Sequence, residues 1–192
     1  SFANYWVHNG FVTFNKEKMS KSLGNIITIS DAVKKYSGQV VRLALLSAHY
    51  SQPLDWNDKL LNNQKKTIEK WYNLYEKTNE ENIEDISETL LDDLNTPGFI
   101  AKIHELYNSA VDGNENNKSL FNKACRFIGL FNISKDKWEE FKKSNIKISE
   151  EIILEKIAER VNAKKEGNFK LADKIRNDLL DQGILIEDQQ NK

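Results

Sequence analysis

The chain has few cysteines that could cross-link it and no long apolar segment that could anchor it in a bilayer. Its 192 residues include one cysteine, Cys125, which excludes an internal disulfide and a zinc site built from several cysteines of this chain. The longest apolar run, near residues 40–48, is interrupted by Arg42, so neither a membrane-spanning helix nor a signal peptide is predicted. These absences favour a globular protein, and we expect a cytoplasmic location and no membrane partner.

The chain carries a net charge of −1, but its charges are unevenly distributed. Residues 1–60 sum to +3, residues 61–117 to −7 and residues 118–192 to +3. A polyanionic partner would therefore meet the two ends more readily than the middle. Ordinary variation among solvated helix faces explains the same pattern equally well, so charge alone does not decide between these interpretations.

Apolar residues recur at helical spacing through most of the chain, which predicts a mainly α-helical fold. The N-terminal segment differs, because β-prone runs at residues 5–8 and 11–14 flank Asn9-Gly10. That arrangement predicts a β-hairpin whose turn lies at Asn9-Gly10. A small α/β-like domain is expected at the C-terminus, with a strand at residues 184–186 after a helix capped by Gly183.

Several residues mark the expected helix starts and the expected core. Thr28 is the predicted cap of the first helix, and Thr96 is the predicted cap of a later one with Pro97 at its first position. Cys125 lies on an apolar helix and is predicted to be a core thiol. The tryptophans are predicted to be core or interface anchors, with the exception of Trp6, which we expect near the reaction site.

The loop that follows the N-terminal β-prone region has the clearest chemical potential. Residues 18–25 read Lys-Met-Ser-Lys-Ser-Leu-Gly-Asn. Lys18 and Lys21 can approach a polyphosphate from one mobile loop, while Ser20 and Ser22 add hydroxyl donors. Such a loop suits phosphoryl or nucleotidyl chemistry, in which negative charge develops on phosphate oxygens. Without the specific order of these residues, a solvated basic turn would be the simpler interpretation.

The order of these residues resembles the KMSKS signature loop of class I aminoacyl-tRNA synthetases. The segments that follow are similar to cysteinyl-tRNA synthetases in particular, and the similarity runs in order from about Tyr5 to Asp188. The matching stretches are Leu46-Ser-Ala-His-Tyr-Ser-Gln-Pro-Leu54, Asp92-Asp-Leu-Asn-Thr-Pro97, Ala172-Asp-Lys-Ile-Arg176 and Gly183-Ile-Leu-Ile-Glu-Asp188. Methionyl enzymes share the signature loop, but Leu-Gly-Asn and Ser-Ala-His-Tyr favour the cysteinyl family.

The resemblance implies a role for each residue of the loop. In the family the loop closes over ATP, with its Mg²⁺, while cysteine and ATP form cysteinyl-adenylate and pyrophosphate. Lys21 corresponds to the principal phosphate-contacting lysine and Lys18 to a supporting one. Met19, Ser20 and Ser22 complete the implied ATP-binding set.

The resemblance also implies that the chain is the C-terminal part of such an enzyme. The catalytic Rossmann domain and the ligands of the family's zinc ion, which binds the cysteine thiolate, are expected before Ser1. We therefore expect no metal ligands in this chain and no activity from it alone. The expected organisation is the end of the catalytic region at residues 1–56, a DALR-type helical bundle at residues 57–145, and an anticodon-recognition domain at residues 146–192.

The expected partners are tRNA-Cys, ATP and cysteine, and the protein is expected to be monomeric. Basic residues near the C-terminus are the candidate tRNA contacts, namely Lys164, Lys165, Lys170, Lys174 and Arg176. A solvated helix without a partner is the alternative, because Asp173 and Asp178 offset part of the charge. Phe169 is expected to face the core together with the apolar residues that follow it at helical spacing.

Two other functions fit parts of the pattern. The chain could be a tRNA-binding module that contributes no chemistry, or a cysteine ligase acting on an amino-sugar acceptor. The full helical and terminal regions argue against the amino-sugar ligase. Two departures from the family pattern are Ser51, where arginine is common, and the absence of a Gly-Thr-x-Trp-Arg stretch after Asp188. Asp92 and Asp93 could form a paired-carboxylate site, but their position favours the approach to a helix N-terminus.

Overall fold

A computed structural model describes residues 2–77, 87–144 and 149–181, together with residues 184 and 186. It divides into two compact units, residues 1–134 and 135–192. The prediction of a mainly helical fold with a small N-terminal β region is confirmed. The three-part functional division at residues 56 and 145 stays a prediction. The strand expected at residues 184–186 and its capping Gly183 lie largely outside the described residues.

The first unit contains a three-stranded sheet, seven short or medium helical segments among its described residues, and the loop of interest. Its strands are β1 (Val12–Phe14), β2 (Glu17–Lys18) and β3 (Leu54–Trp56). Its helices are α1 (Ile29–Lys35), α2 (Gly38–Leu46), α3 (Asp58–Trp71), a 3₁₀ turn (Tyr72–Leu74), α4 (Glu88–Leu91), α5 (Thr96–Val111) and α6 (Glu115–Phe127).

The sheet has the order β2-β1-β3, with β1 antiparallel to β2 and parallel to β3. The hairpin turn lies at Asn15-Lys16, so its predicted position at Asn9-Gly10 was wrong. Both turn residues have positive φ, 52° and 69°, as a two-residue hairpin turn of type I′ requires. Gly10 has a different role, since its N–H donates to the carbonyl of Tyr50 over 2.8 Å.

Helix starts follow the predicted capping chemistry with one correction. Thr28 caps α1 as predicted, because its side chain accepts from the N–H of Asp31. The cap of α5 is Asn95, whose side chain accepts from the N–H of Gly98, so the prediction of Thr96 as the cap was wrong. Thr96 is the first helical residue instead, and its hydroxyl donates to the carbonyl of Leu46 over 2.8 Å.

Aromatic and aliphatic side chains fill the core of the first unit. The largest fully buried side chains of this unit are Val40, Leu43, Ile68, Trp71, Tyr72, Phe99, Ile103, Phe121, Leu130 and Phe131. Phe121 makes edge-to-face contacts with Trp71, Tyr107 and Phe131, which join α3, α5 and α6 around one centre. Cys125 is fully buried beside them, and burial raises the pKa of its thiol well above the usual range, so it is a core thiol as predicted.

One buried glutamine ties α2 to the rest of this core. Gln39 is 3% exposed, and its Oε1 accepts from the N–H of Phe131 over 2.6 Å while its Nε2 lies 2.9 Å from the hydroxyl of Tyr72. Phe131 has φ of 54°, a left-handed conformation that costs a non-glycine residue about 1–2 kcal/mol. Burial raises the pKa of Tyr72 to about 12, so its hydroxyl stays protonated. The glutamine therefore holds a strained backbone turn in place.

The second unit contains α7 (Lys135–Ser144), α8 (Glu150–Lys165) and α9 (Phe169–Asp181). Helices α8 and α9 pack as a hairpin, with Ala163, Ala172, Ile175 and Leu179 buried. Ser149 caps α8, and Gly167, at φ of 73°, provides the left-handed residue that ends it. Among the described residues of both units, no helix combines the length and the apolar character needed to cross a membrane.

The glutamine contact generates a prediction about stability. Gln39→Leu keeps a side chain of similar size but leaves the buried N–H of Phe131 without its acceptor. An unpaired buried donor costs about 1–3 kcal/mol, so the free energy of unfolding should fall by that amount in urea denaturation followed by circular dichroism. Gln52→Leu, at an exposed position, is the matched control and should leave the midpoint unchanged. Equal midpoints for both variants would contradict this role of Gln39.

Candidate nucleotide-binding loop

The β1–β2 hairpin leads directly into the predicted loop at residues 18–25. Thr13 pairs with Lys18 and Phe14 with Glu17, so Lys18 is both the last residue of the hairpin and the first residue of the loop. The pairing of β1 with β3 holds the opposite edge, with Val12 aligned to Leu54. The start of the loop is therefore fixed by backbone hydrogen bonds on both sides of β1.

Asp55, on β3, pins the hairpin turn. Its Oδ1 accepts from the hydroxyl of Thr13 over 2.9 Å and from the N–H of Lys16 over 2.5 Å, while its Oδ2 accepts from Asn57 over 2.8 Å. These hydrogen bonds, above all the one from the Lys16 backbone, lower the pKa of the Asp55 carboxyl. The carboxylate is therefore ionised at neutral pH, where it accepts from three groups at once.

Asn25 closes the loop on itself. Its Oδ1 accepts from the N–H of Ser20 over 2.9 Å, and its Nδ2 donates to the carbonyl of Lys18 over 3.2 Å. Between these contacts the N–H of Gly24 donates to the carbonyl of Lys21 over 3.2 Å. Gly24 has φ of 63°, which glycine adopts without steric cost. One amide side chain thus joins the two ends of the signature loop.

The two serine hydroxyls also take part in this closed geometry. The Oγ atoms of Ser20 and Ser22 lie 3.2 Å apart, and Ser20 Oγ accepts from the N–H of Leu23 over 3.3 Å. Ser22 is exposed, whereas Ser20 and Met19 are partly buried. One of the two hydroxyls donates to the other, so this geometry leaves one hydroxyl hydrogen of the pair for a ligand, and both become available once that hydrogen bond opens.

Both candidate phosphate-binding lysines are exposed. Within the described ranges, neither Lys18 nor Lys21 forms an ion pair within 4.0 Å with a carboxylate, so their charges are not neutralised by the protein. A flexible ammonium group on a short, closed loop can follow a polyphosphate as a point charge. The structure thus brings together on one loop all five residues that the sequence predicted to contact ATP.

The predicted tRNA-binding residues lie in the second unit. Lys164 and Lys165 form the last turn of α8, and Lys170, Lys174 and Arg176 follow on α9. All five are exposed. Phe169 was predicted to face the core, but this was wrong, since it is 65% exposed at the first position of α9.

The described residues do not fit a zinc ion, because no group of three or more His, Cys, Asp or Glu side chains converges among them. His8 is exposed, and His49 contacts the backbone of Asp93. His104 packs against Trp71 with ring centroids 4.9 Å apart, and burial, followed by the nearby charge of Lys70, lowers the pKa of its imidazole. No step of the chemistry is therefore assigned to a metal held by these residues.

The sequence analysis did not identify two residues that hold the loop in position, Asn25 and Asp55. Asn25 belongs to the signature stretch, but nothing in its pattern indicated that its amide closes the loop. Asp55 contacts Lys16 across 39 residues, and a contact of that separation leaves no local signal. The sequence signal that could have indicated its role is the pair of polar residues Asp55 and Asn57 at the end of a short strand.

Comparisons with known proteins agree with the sequence motifs. Residues 1–66 match a family model described as tRNA synthetases class I (C) catalytic domain. The chain is 54% identical to a cysteine–tRNA ligase of Pelagibacter ubique (strain HTCC1062) over 193 residues, which cover 100% of this chain and 43% of that protein. It is 43% identical to the cysteine–tRNA ligase of Rickettsia rickettsii (strain Sheila Smith) over 198 residues, covering 98% of this chain and 42% of the relative.

A third relative, the cysteine–tRNA ligase of Rickettsia bellii (strain OSU 85-389), is 43% identical over 201 residues, which cover 100% of this chain and 43% of the relative. The chain thus spans less than half the length of these relatives, while almost every residue of it is matched. The resemblance indicated by the signature loop and the later motifs is confirmed. The chain is homologous over its whole length to a region of the cysteinyl-tRNA synthetases.

Proposed function

We propose that the chain is the C-terminal part of a cysteine–tRNA ligase, which activates cysteine with ATP and Mg²⁺ and transfers it to tRNA-Cys in the cytoplasm. The observation that carries the proposal is the loop at residues 18–25, which presents two un-neutralised lysines from a hairpin held on both sides. Relatives named cysteine–tRNA ligase match the whole chain and support the choice of amino acid.

The proposed reaction places the loop at the leaving group. The carboxylate oxygen of cysteine attacks the α-phosphorus of ATP, the bond to the bridging oxygen breaks, and pyrophosphate leaves with that bond's electron pair. Negative charge therefore grows on the β-phosphate side during the step. Lys21 Nζ stabilises that charge, Lys18 supports it, and the hydroxyls of Ser20 and Ser22 offer donors to phosphate oxygens.

The closed geometry of the loop limits the entropy that this contact would cost. Asn25 joins the two ends of the loop, so the backbone between them is already turned before a nucleotide arrives. Lys21 occupies the apex, with its carbonyl bonded to Gly24 and its side chain in solvent. A preorganised backbone with one mobile charged side chain suits a contact that tightens in the transition state.

We propose further that this chain has no ligase activity alone and acts within a longer monomeric polypeptide. The described residues do not form a cysteine pocket with thiolate-binding ligands, and two lysines on a loop cannot orient ATP by themselves. The zinc of the family would then be held by other parts of the enzyme. In this proposal residues 57–145 form the helical bundle that docks tRNA, and residues 146–192 contribute to anticodon recognition.

Replacement of the apical lysine tests the role of the loop. In the full-length enzyme, Lys21→Ala should lower kcat for cysteine-dependent ATP–pyrophosphate exchange by about 10²–10³, the usual effect of losing one transition-state contact. The KM for ATP should change much less, because the contact strengthens as charge builds on the leaving group. Pre-steady-state rates of adenylate formation measure the effect directly.

The control for this variant is Lys66→Ala, which removes the same charge from an exposed position on α3. It should leave both kcat and KM for ATP unchanged. A raised KM for ATP in Lys21→Ala, with kcat unchanged, would show a ground-state contact only and would contradict the proposed role.

Paired replacement on α9 tests the proposed tRNA contacts. Lys170 and Lys174 are both exposed, four residues apart on one face of the helix. Lys170→Ala with Lys174→Ala should weaken tRNA binding by the full-length enzyme and make the slope of log K against log salt shallower by about one to two units. Cysteine-dependent pyrophosphate exchange should stay intact, since it requires no tRNA.

Lys34→Ala with Lys35→Ala is the matched control, because it removes two exposed charges from α1, outside the segments proposed to contact tRNA. Its salt slope should equal that of the unmodified enzyme. If the α9 variant keeps the original slope as well, the phosphate contacts lie elsewhere and this part of the proposal is overturned.

A further inference from the structure

Two sequence motifs that the proposed chemistry does not use meet in the structure. His49 and Tyr50 follow α2, and Asp93 lies in the turn before α5. The hydroxyl of Tyr50 donates to Asp93 Oδ1 over 2.7 Å, and His49 Nε2 lies 2.8 Å from the carbonyl oxygen of Asp93. His49 and Tyr50 therefore form hydrogen bonds with the backbone and the side chain of Asp93, more than 40 positions away in sequence.

The hydrogen bonds around His49 define how it holds Asp93. His49 Nδ1 lies 2.8 Å from the hydroxyl oxygen of Ser51, and the Asp93 carbonyl oxygen beside Nε2 can only accept a hydrogen bond. In the neutral ring, Nε2 then carries the hydrogen and donates it to the Asp93 carbonyl. The rings of His49 and Tyr50 lie 4.7 Å apart between centroids, so each side chain restricts the other. We call these two side chains and Asp93 the His-Tyr clamp.

The clamp holds a strained turn. Asp93 and Leu94 have φ of 50° and 54°, and two successive left-handed residues without glycine are unfavourable. Leu94 is 61% exposed, so burial of its side chain does not compensate for that conformation. A second tether lies beside the clamp, where the hydroxyl of Thr96 donates to the carbonyl of Leu46 over 2.8 Å. Besides its own backbone hydrogen bonds, from Leu94 to Leu90 and from Asn95 to Asp92, the turn is thus tied to residues 46–50.

The same segment is attached on its other side to the strand that carries the signature loop. The N–H of Gly10 donates to the carbonyl of Tyr50 over 2.8 Å, and the N–H of Leu54 donates to the carbonyl of Phe11 over 2.9 Å. A Cβ at Gly10 would lie 2.1 Å from the carbonyl oxygen of Gln52, so the two backbones are in close contact. From Phe11 the chain runs through β1 and β2 to Lys18.

We propose that His49 and Tyr50 are positioning residues that hold the turn before α5 in a fixed place relative to the hairpin carrying the signature loop. The inference rests on the proposed function for its catalytic consequence. Through the clamp, tRNA docked on the helical bundle and the loop that contacts ATP share one rigid connection. Loss of the clamp should therefore impair the tRNA-dependent transfer of cysteine while sparing the tRNA-independent formation of adenylate.

The first test measures the physical connection in the chain itself. Tyr50→Phe removes the hydroxyl that Asp93 accepts, and hydrogen exchange of the Gly10, Leu54 and Asn95 amides should become about five-fold faster. Tyr36→Phe is the matched control, since the Tyr36 hydroxyl lies 3.4 Å from a carboxylate oxygen of Asp58, away from the clamp. Unchanged exchange at these amides in Tyr50→Phe would overturn the inference, whatever the function of the protein.

The second test measures the catalytic consequence in the full-length enzyme. Tyr50→Phe should lower kcat for cysteinylation of tRNA-Cys about five-fold, with the KM for tRNA and cysteine-dependent pyrophosphate exchange unchanged. Leu94→Gly, added to Tyr50→Phe, relieves the left-handed backbone strain without remaking the contact to Asp93, so kcat should stay low. Recovery of kcat in the double variant would show that only the local turn conformation matters and would overturn the inference. Rates are compared at a temperature where circular dichroism shows all variants folded.

The outcomes separate a positioning role from a structural one. A lower melting temperature with unchanged cysteinylation would make the clamp merely structural and overturn the inference. Equal loss of cysteinylation and pyrophosphate exchange would also overturn it, because the clamp would then act on the loop alone. Absence of cysteine-dependent exchange in the unmodified enzyme would instead refute the proposed function, and the hydrogen-exchange test would still decide whether the clamp connects the two segments.

Discussion

The parallel pairing of β1 with β3 is the constraint on which the rest of the first unit depends. It brings residues 12–14 beside residues 54–56, and so joins the signature loop to the segment that enters the helical bundle. A parallel pair needs a long crossover, which here contains the loop together with α1 and α2. The loop is therefore held by contacts distant in sequence, with Asp55 as the residue that fastens the hairpin turn to β3.

At several turns of the chain, one polar side chain forms hydrogen bonds to backbone groups. Asp55 fastens the hairpin, Asn25 closes the loop, and Gln39 holds the left-handed backbone of Phe131. Asn122 holds the end of the 3₁₀ turn, since its side chain accepts a hydrogen bond from the N–H of Glu76 and donates one to the carbonyl of Leu74. In each case one side chain satisfies backbone groups that no helix or strand could pair.

The sequence predicted the features that local chemistry determines. Helical periodicity predicted a mainly helical chain, and the signature loop together with the later motifs was enough to indicate the family. Thr28 is a cap because its own hydroxyl reaches the N–H three residues ahead. The prediction of Thr96 as a cap was wrong because its hydroxyl has a distant acceptor, the carbonyl of Leu46, while neighbouring Asn95 takes the capping position.

Features that depend on long-range contacts could not be predicted in this way. Asn9-Gly10 has the composition of a hairpin turn, but Gly10 is needed where its backbone meets residues 50–52, and the turn forms at Asn15-Lys16. The hydrogen bond from Tyr50 to Asp93 and the closure of the loop by Asn25 likewise correspond to no periodic pattern in the sequence. The residue types of the candidate site could thus be predicted, whereas the groups that position them act through contacts that only the folded chain creates.

We propose, as the central claim, that this chain supplies the phosphate-contacting loop of a cysteine ligase and needs the remainder of the enzyme for chemistry. Cysteine-dependent ATP–pyrophosphate exchange, measured side by side for the 192-residue chain and for the full-length protein, tests it most directly. We expect exchange by the full-length protein with cysteine, none with methionine, and none by the chain alone. Robust exchange by the isolated chain, or exchange by the full-length protein with methionine in place of cysteine, would contradict the claim.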